Sequence, residues 1–171
     1  MSKVIFDGAG FKAEKLAVMQ FGGELVTDKR SQWRDIDAVI ETKQGIKASV
    51  SVKDQLWSSE RYKGIQIEVR LFNSRTGAVI EGCFLKCQAD YYFWRVHTPE
   101  YGDTWAIVPT EKMKAFVKEN QHTLKKWQTQ PKTEAKNRSY GRKYDRACGY
   151  VITMEQLASI AYFKPVEVSI H

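Results

Sequence analysis

The sequence predicts a mixed α/β or α+β fold. Three observations carry that expectation: apolar stripes at helical spacing near residues 13–21 and 111–120, strict two-residue alternation in three segments between them, and aromatic, β-branched runs broken by Pro99 and Gly102. The length of 171 residues fits one domain, 1–171. With 43% hydrophobic and 12% aromatic residues, the chain has enough apolar surface to offset its conformational entropy, which excludes wholesale disorder.

The elements follow in order. Ala13 to Phe21 reads as a helix ended by Gly22-Gly23, with Leu16, Ala17 and Met19 or Gln20 forming its stripe. Asp35 to Ile40 alternates, with Ile36, Ala38 and Ile40 on one face and Asp35, Asp37 and Val39 on the other. A turn at Lys43-Gln44-Gly45 leads into Ala48 to Gln55, where Ala48, Val50 and Val52 oppose Ser49, Ser51, Lys53 and Gln55, so the two segments form a hairpin with one polar face. Ile65 to Phe72 is a third strand, which puts Glu68 on the polar face of a neighbour. Tyr91 to Val96 and Trp105 to Val108 are two more strands. A helix over Glu111–Asn120 buries Met113, Phe116 and Val117. Near the end, Thr153 and Gln156 fit a capping box that opens a helix to about Tyr162, Pro165 stops it, and Val166 to Ile170 reads as a last strand.

The charge is uneven. Lys and Arg number 27 against 20 Asp and Glu, a net of +7. Between His122 and Arg146, eight basic residues face only Glu134 and Asp145, which puts six of those charges in one stretch interleaved with Trp127, Tyr140 and Tyr144. Clustered lysine and arginine suit phosphate, and aromatic rings suit exposed bases, although such a segment can also be a solvated loop. Lys125, Lys126, Arg138, Arg142 and Lys143 are the candidate nucleic-acid contacts here, joined by Arg61 and Lys63 between the second and third strands.

Other chemistries are poorly supported. No stretch approaches the ~18 consecutive apolar residues of a membrane helix, and Met1 to Gly10 lacks the apolar core of a leader, so the expected location is cytoplasmic with no membrane partner. Cys83, Cys87 and Cys148 cannot all pair and are expected as thiols; with His97 or His122 they lack a fourth ligand at zinc spacing. Ser51 has no histidine near it in sequence to act as a nucleophile's base.

The polar face is the strongest signal. Carboxylates on one strand facing a lysine on the next can hold a hard divalent cation and steady or deprotonate water beside a phosphodiester. Alternation alone also describes a solvated sheet face. Asp35 and Asp37 share a face and either can serve; Asp37 is favoured because it leads directly into Ala38-Val39-Ile40.

Through "EKLAVMQF", "RDIDAVIE", "KASVSVKDQ", "GIQIEVR" and the aromatic strands with their following helix, residues 10–120 resemble the PD-(D/E)XK nuclease superfamily. The resemblance implies a restriction-endonuclease-like mixed β-sheet flanked by helices, with 121–171 as a basic C-terminal extension. It implies Asp37 as the metal-binding aspartate, Lys53 as the catalytic lysine, Glu14 as the helical acid and Gln55 as the polar residue beyond the lysine. Ser51 stands where the family's second acid belongs, and a hydroxyl is a weak neutral ligand, so Glu68 is the expected replacement beside Asp37. The implied activity is Mg²⁺-dependent hydrolysis of DNA, with Mn²⁺ as a substitute, by an endonuclease of phage or mobile-element origin in a bacterial or phage-infected host cytoplasm. In that role Gln55 and Ser51 orient solvent. The same pattern leaves open a homodimer, and a catalytically inactive relative that binds DNA or inhibits a DNA-processing partner.

Overall fold

The structure, a computed structural model, describes residues 9–170; Met1 to Gly8, most of the stretch read above for a leader, and His171 lie outside them. Helix α1 (Ala9–Phe21) begins four residues earlier than its stripe predicts and buries Ala13, Leu16 and Ala17. Gly22 ends it at φ 78°, donating its N–H to the Val18 carbonyl at 3.0 Å. Strand β1 (Gly23–Leu25) is followed by the short helix α2 (Lys29–Trp33), capped by the Asp28 carboxylate, which accepts the Ser31 N–H at 2.8 Å.

The next strand, β2 (Ala38–Glu41), starts three residues later than its alternation predicts. Asp35 takes the left-handed conformation, φ 58°, which aspartate tolerates better than most residues but which no strand can contain. Pairing begins where the Asp37 N–H donates to the Val50 carbonyl at 2.9 Å. The hairpin is as expected: β2 runs antiparallel to β3 (Lys47–Asp54), from Ala38 opposite Val50 to Glu41 opposite Lys47.

The third strand is not the neighbour it was expected to be. Helix α3 (Leu56–Tyr62) lifts the chain off β3, and β4 (Gly64–Phe72), β5 (Val79–Glu81) and α4 (Cys83–Lys86) complete a crossover before β6 (Tyr91–Thr98) returns beside β3 in parallel, from Val50 opposite Tyr91 to Asp54 opposite Arg95. A parallel pair needs such a crossover, so the intervening β4 is carried away from the hairpin. Strand β7 (Gly102–Pro109) is antiparallel to β6, and α5 (Thr110–Asn120) follows it directly.

The remaining chain is more regular than its composition suggests. It forms β8 (Lys125–Gln128), α6 (Pro131–Ser139), β9 (Arg146–Thr153), α7 (Met154–Ala158) and β10 (Tyr162–Pro165). The capping box is present, with Thr153 and Gln156 exchanging side-chain and backbone hydrogen bonds at 2.9 and 3.1 Å. Its helix ends at Ala158, short of Tyr162, and the last strand is Tyr162–Pro165 rather than Val166–Ile170, because Tyr162 to Pro165 pair with Ile107 to Thr104 at the sheet edge. Proline is tolerated there because an edge strand can spare a donor.

Two sheets result, one of six strands in the order β1-β2-β3-β6-β7-β10 and one of four in the order β5-β4-β9-β8. This is an α/β architecture with a large mixed sheet flanked by helices. Alternation along β6 covers both faces of the large sheet. Phe93 joins Val50, Val52, Trp105 and the stripe of α1, while Tyr92, Trp94 and Val96 join Met113 and Val117 of α5 and Ile65, Ile67 and Ile152 of the second sheet. Val166, Val168 and Ile170 pack against the α1 side, and of them Val166 also donates its N–H to the Asp103 carbonyl at 3.0 Å. Among the described residues no helix is long and apolar enough to cross a membrane, and all three cysteines are free thiols.

The two central strands of the small sheet meet at Gly149. A Cβ there would lie 1.7 Å from the Ile67 carbonyl oxygen and 3.0 Å from the Trp127 Nε1, and backbone cannot give way as a side-chain tip can. Gly149→Ala should therefore cost at least the upper end of the ~1–3 kcal/mol typical of overpacking. Gly45→Ala, with open space around its Cβ but φ 79°, should cost about 1 kcal/mol from backbone conformation alone. Urea denaturation of both variants checks the difference, and equal losses would contradict the close approach.

Candidate active site

The loop before β2, the middle of β3 and one turn of α1 bring their charged side chains together. In β3, Val50 and Val52 point into the core beneath α1, which turns Ser51 and Lys53 the other way. Asp35, in its left-handed turn before β2, places its carboxylate against both of them. Its Oδ1 lies 2.5 Å from the Lys53 Nζ, and its Oδ2 accepts the Ser51 hydroxyl at 3.0 Å. Asp37 sits on the other side of the same hydroxyl, at 3.4 Å, and its Oδ2 accepts the Val52 N–H at 2.7 Å. Ser51 is fully buried, so its hydroxyl holds the two carboxylates in place and does not reach solvent as the sequence suggested.

Electrostatics tie Glu14 into the group. Burial and the neighbouring Asp37 push its pKa from the ordinary 4.5 to about 7, with Asp35 adding to the rise and Lys53 opposing it. Asp37 is raised as well, first by burial and then by Asp35, against the pull of Lys53. For Lys53, burial works to lower the pKa, but Asp35 and Asp37 more than reverse it, and the ammonium is held protonated above its ordinary value. Asp35 thus pairs with the ammonium while Asp37 and Glu14 lie within reach of its charge, and burial together with the excess of negative charge raises the pKa of both.

Lys53 also lines a cavity of about 250 Å³ with Gln55, Glu68, Cys83, Tyr92 and Trp127. Glu68 reaches it from β4, across the space between the sheets, so it faces Lys53 without sharing a sheet with it. Gln55, at the start of α3, accepts the Gln66 N–H at 3.3 Å through its carboxamide oxygen. Neither Cys83 nor Tyr92 is among the residues expected at this site from the sequence. Burial pushes the Cys83 thiol up to about 11 despite Lys53, so it presents an uncharged wall. Beside the site, Arg95 clasps Asp103 at 2.9 and 2.6 Å and Asp54 at 3.2 Å, a cluster that has no local sequence signal.

The oxygen donors of Asp35 and Asp37 are of the kind a hard ion such as Mg²⁺ or Mn²⁺ takes. Such an ion takes oxygen ligands and needs only one or two carboxylates, the rest of its shell being water and substrate phosphate. Asp35 and Asp37 flank a single hydroxyl in an environment short of positive charge. Among the described residues no group of three or more His, Cys, Asp or Glu could hold a metal unaided.

The candidate nucleic-acid contacts fall into two sets. Arg61 stacks its guanidinium 5.1 Å from the Trp57 ring and 5.7 Å from that of Tyr62, on the exposed face of α3, and Lys63 caps that helix at φ 55°. Lys125 and Lys126 are exposed on the edge strand β8. Around α6 the charge is partly spent within the protein. Arg138 pairs with Glu134 at 2.7 Å and with Asp145 at 3.1 Å, Arg146 pairs with Glu134 at 3.1 Å, and Asp145, 2% exposed, also accepts hydrogen bonds from Ser74. Arg142 donates to the Asn137 carboxamide at 3.1 Å, and Lys143 lies 5.6 Å from the Tyr144 ring.

No protein-family model matches the sequence, and no curated protein does. Among solved structures, a bacterial homing endonuclease is similar over 60% of this chain and 67% of its own, at 20% identity and a TM-score of 0.40.

The raised pKa of Glu14 sets the sign of a pH effect. Between pH 4.5 and about 7 the folded protein keeps a proton that the unfolded chain has released, so metal-free stability should fall as pH rises through that window and level off above it. Glu14→Gln should flatten this slope. Lys53→Met, which removes the cation that lowers the Glu14 pKa, should extend the fall to higher pH. Chelator-treated protein denatured in urea at intervals from pH 4.5 to 8 tests both, and an unchanged slope in Glu14→Gln would refute the assignment.

Proposed function

We propose that the protein is a divalent-metal-dependent DNA endonuclease, hydrolysing phosphodiester bonds at the cluster of Glu14, Asp35, Asp37 and Lys53. The observation that carries this reading is the meeting of Asp35 and Asp37 at one buried hydroxyl beside the Lys53 ammonium, with Glu14 of α1 close enough for their charges to act on it. A structural ion pair needs one acid for one base. Two further carboxylates, partly desolvated and raised in pKa, carry a cost to stability that suits a site awaiting positive charge.

Asp37 and Asp35, with Glu68 on the facing wall, are the residues that would hold Mg²⁺ or Mn²⁺. When bound, the ion would supply Lewis-acid charge at the scissile phosphate. Lys53, kept protonated by its neighbours, acts as a fixed cation that neutralises charge building on the phosphate oxygens, and not as the base. Glu14, titrating near neutrality, is the side chain able to take a proton from water at working pH. Gln55 has its carboxamide oxygen engaged by Gln66, which leaves its NH₂ group to donate to water or phosphate in the cavity. Ser51 sets the spacing of the two aspartates.

One observation favours a second reading, a nuclease-like protein that holds DNA without cutting it: the buried, neutral Ser51 stands at the position where the resembling family carries an acid.

Supercoiled, linear and branched DNA incubated with the protein and Mg²⁺ or Mn²⁺ separates the two. The endonuclease reading expects metal-dependent cleavage of at least one form, with Lys53→Ala and Asp37→Asn each slower by about 10²- to 10³-fold while DNA binding persists. Binding without cleavage on every form sinks it, and undiminished cleavage by Lys53→Ala misplaces the site.

A further inference from the structure

A second, larger concavity lies beside the cavity that holds Lys53. It is a groove of about 1540 Å³ between α5, the α3–α4 side and the small sheet, and Gln66, Phe84 and Trp127 border both it and the cavity that holds Lys53. Its charge is one-sided. Arg70, Lys114, Lys118, Lys125 and Lys126 line it, and no acidic residue does. Lys114 donates to the Cys87 and Leu85 carbonyls at 2.6 and 3.3 Å, whereas Arg70, Lys118, Lys125 and Lys126 take part in no ion pair among the described residues. This is the reverse of α6, where Glu134 and Asp145 neutralise the arginines.

Between these cations the lining is aromatic and uncharged polar. Tyr62 is 58% exposed, Trp127 is fixed by its Nε1 donating to the Ile67 carbonyl at 3.1 Å, and Tyr150 adds a third ring. Four unpaired cations without a counter-charge call for a polyanion. Rings lining a concave channel beside those cations call for one whose base faces are free to stack, which a duplex does not offer.

We propose that this groove binds single-stranded DNA and leads the strand, past Trp127 and Gln66, into the Lys53 cavity. Phosphates meet Arg70, Lys118, Lys125 and Lys126, and bases lie against Tyr62. The fate of the strand at Lys53 rests on the endonuclease reading above; its binding in the groove does not.

Fluorescence anisotropy with a labelled oligo-thymidine, in chelator and across a salt series, tests the groove apart from any cleavage. The triple variant Arg70→Gln, Lys118→Gln, Lys126→Gln should lower the salt slope, −∂log K/∂log[salt], by about 2 relative to wild type. A matched loss of charge elsewhere, Lys29→Gln, Lys43→Gln, Lys47→Gln, should leave the slope unchanged. Tyr62→Ala, which alters no charge, should weaken binding at least about 5-fold. Circular dichroism confirms that each variant is folded. Equal slopes for the two triple variants overturn the proposal, as does tighter binding of a duplex of the same length or of oligo-uridine. Normal groove binding with no cleavage in Mg²⁺ would leave the groove standing and remove the nuclease, whereas cleavage of DNA with no change in the groove variants would do the opposite.

Discussion

A charge taken out of water has to find its opposite nearby, and the architecture around Lys53 follows from that requirement. The Lys53 side chain keeps 24% of its exposure and Asp35 keeps 12%, so their contact is made where solvent screens it poorly. Asp35 meets the ammonium from a left-handed turn just before β2, outside the ladder, where its carboxylate is free of the strand's alternation. Their contact requires β3 to be an interior strand with a parallel partner, since an edge position would leave Lys53 in water. The crossover that makes that partner possible supplies α3, β4 and α4, and with them the opposite wall of the cavity.

Features with a local cause could be read from the sequence. The stripe of α1, the β2–β3 hairpin and the Thr153–Gln156 capping box each depend on residues a few positions apart, and each is present. That Asp37 and Lys53 lie on one polar face follows from alternation, whereas Glu14 joins them in expectation only through the family resemblance. Pairing between distant segments left no such trace. Alternation in β4 says that one face is buried but not against which sheet. Strand β9 carries Cys148 and Gly149 in its middle and does not resemble a central strand; the reason for its glycine is the Ile67 carbonyl, more than eighty residues earlier in the chain. The weight given to Asp37 over Asp35 has the same origin, because alternation treats the two alike and only a backbone torsion separates them.

Composition misleads in a different way around α6. The excess of lysine and arginine between His122 and Arg146 is real, yet charge on a chain is not charge available to a ligand. Glu134 alone engages two arginines, and Asp145 is held by Arg138 and Ser74. The unpaired cations that line the groove come from three separate stretches, Arg70, Lys118 and the Lys125–Lys126 pair. Only folding gathers them, through the antiparallel placement of β8 at the sheet edge and the packing of α5 beside it.

The thiol of Cys83 has a consequence of its own. A cysteine on the rim of a carboxylate site would ordinarily invite thiophilic ions such as zinc or copper, which bind thiolate far better than oxygen. Held protonated by its burial, Cys83 offers them no anionic sulfur at neutral pH. A soft ion entering this cavity would have to displace the thiol proton before the sulfur could bind it, and the raised pKa makes that displacement costlier than at an ordinary cysteine.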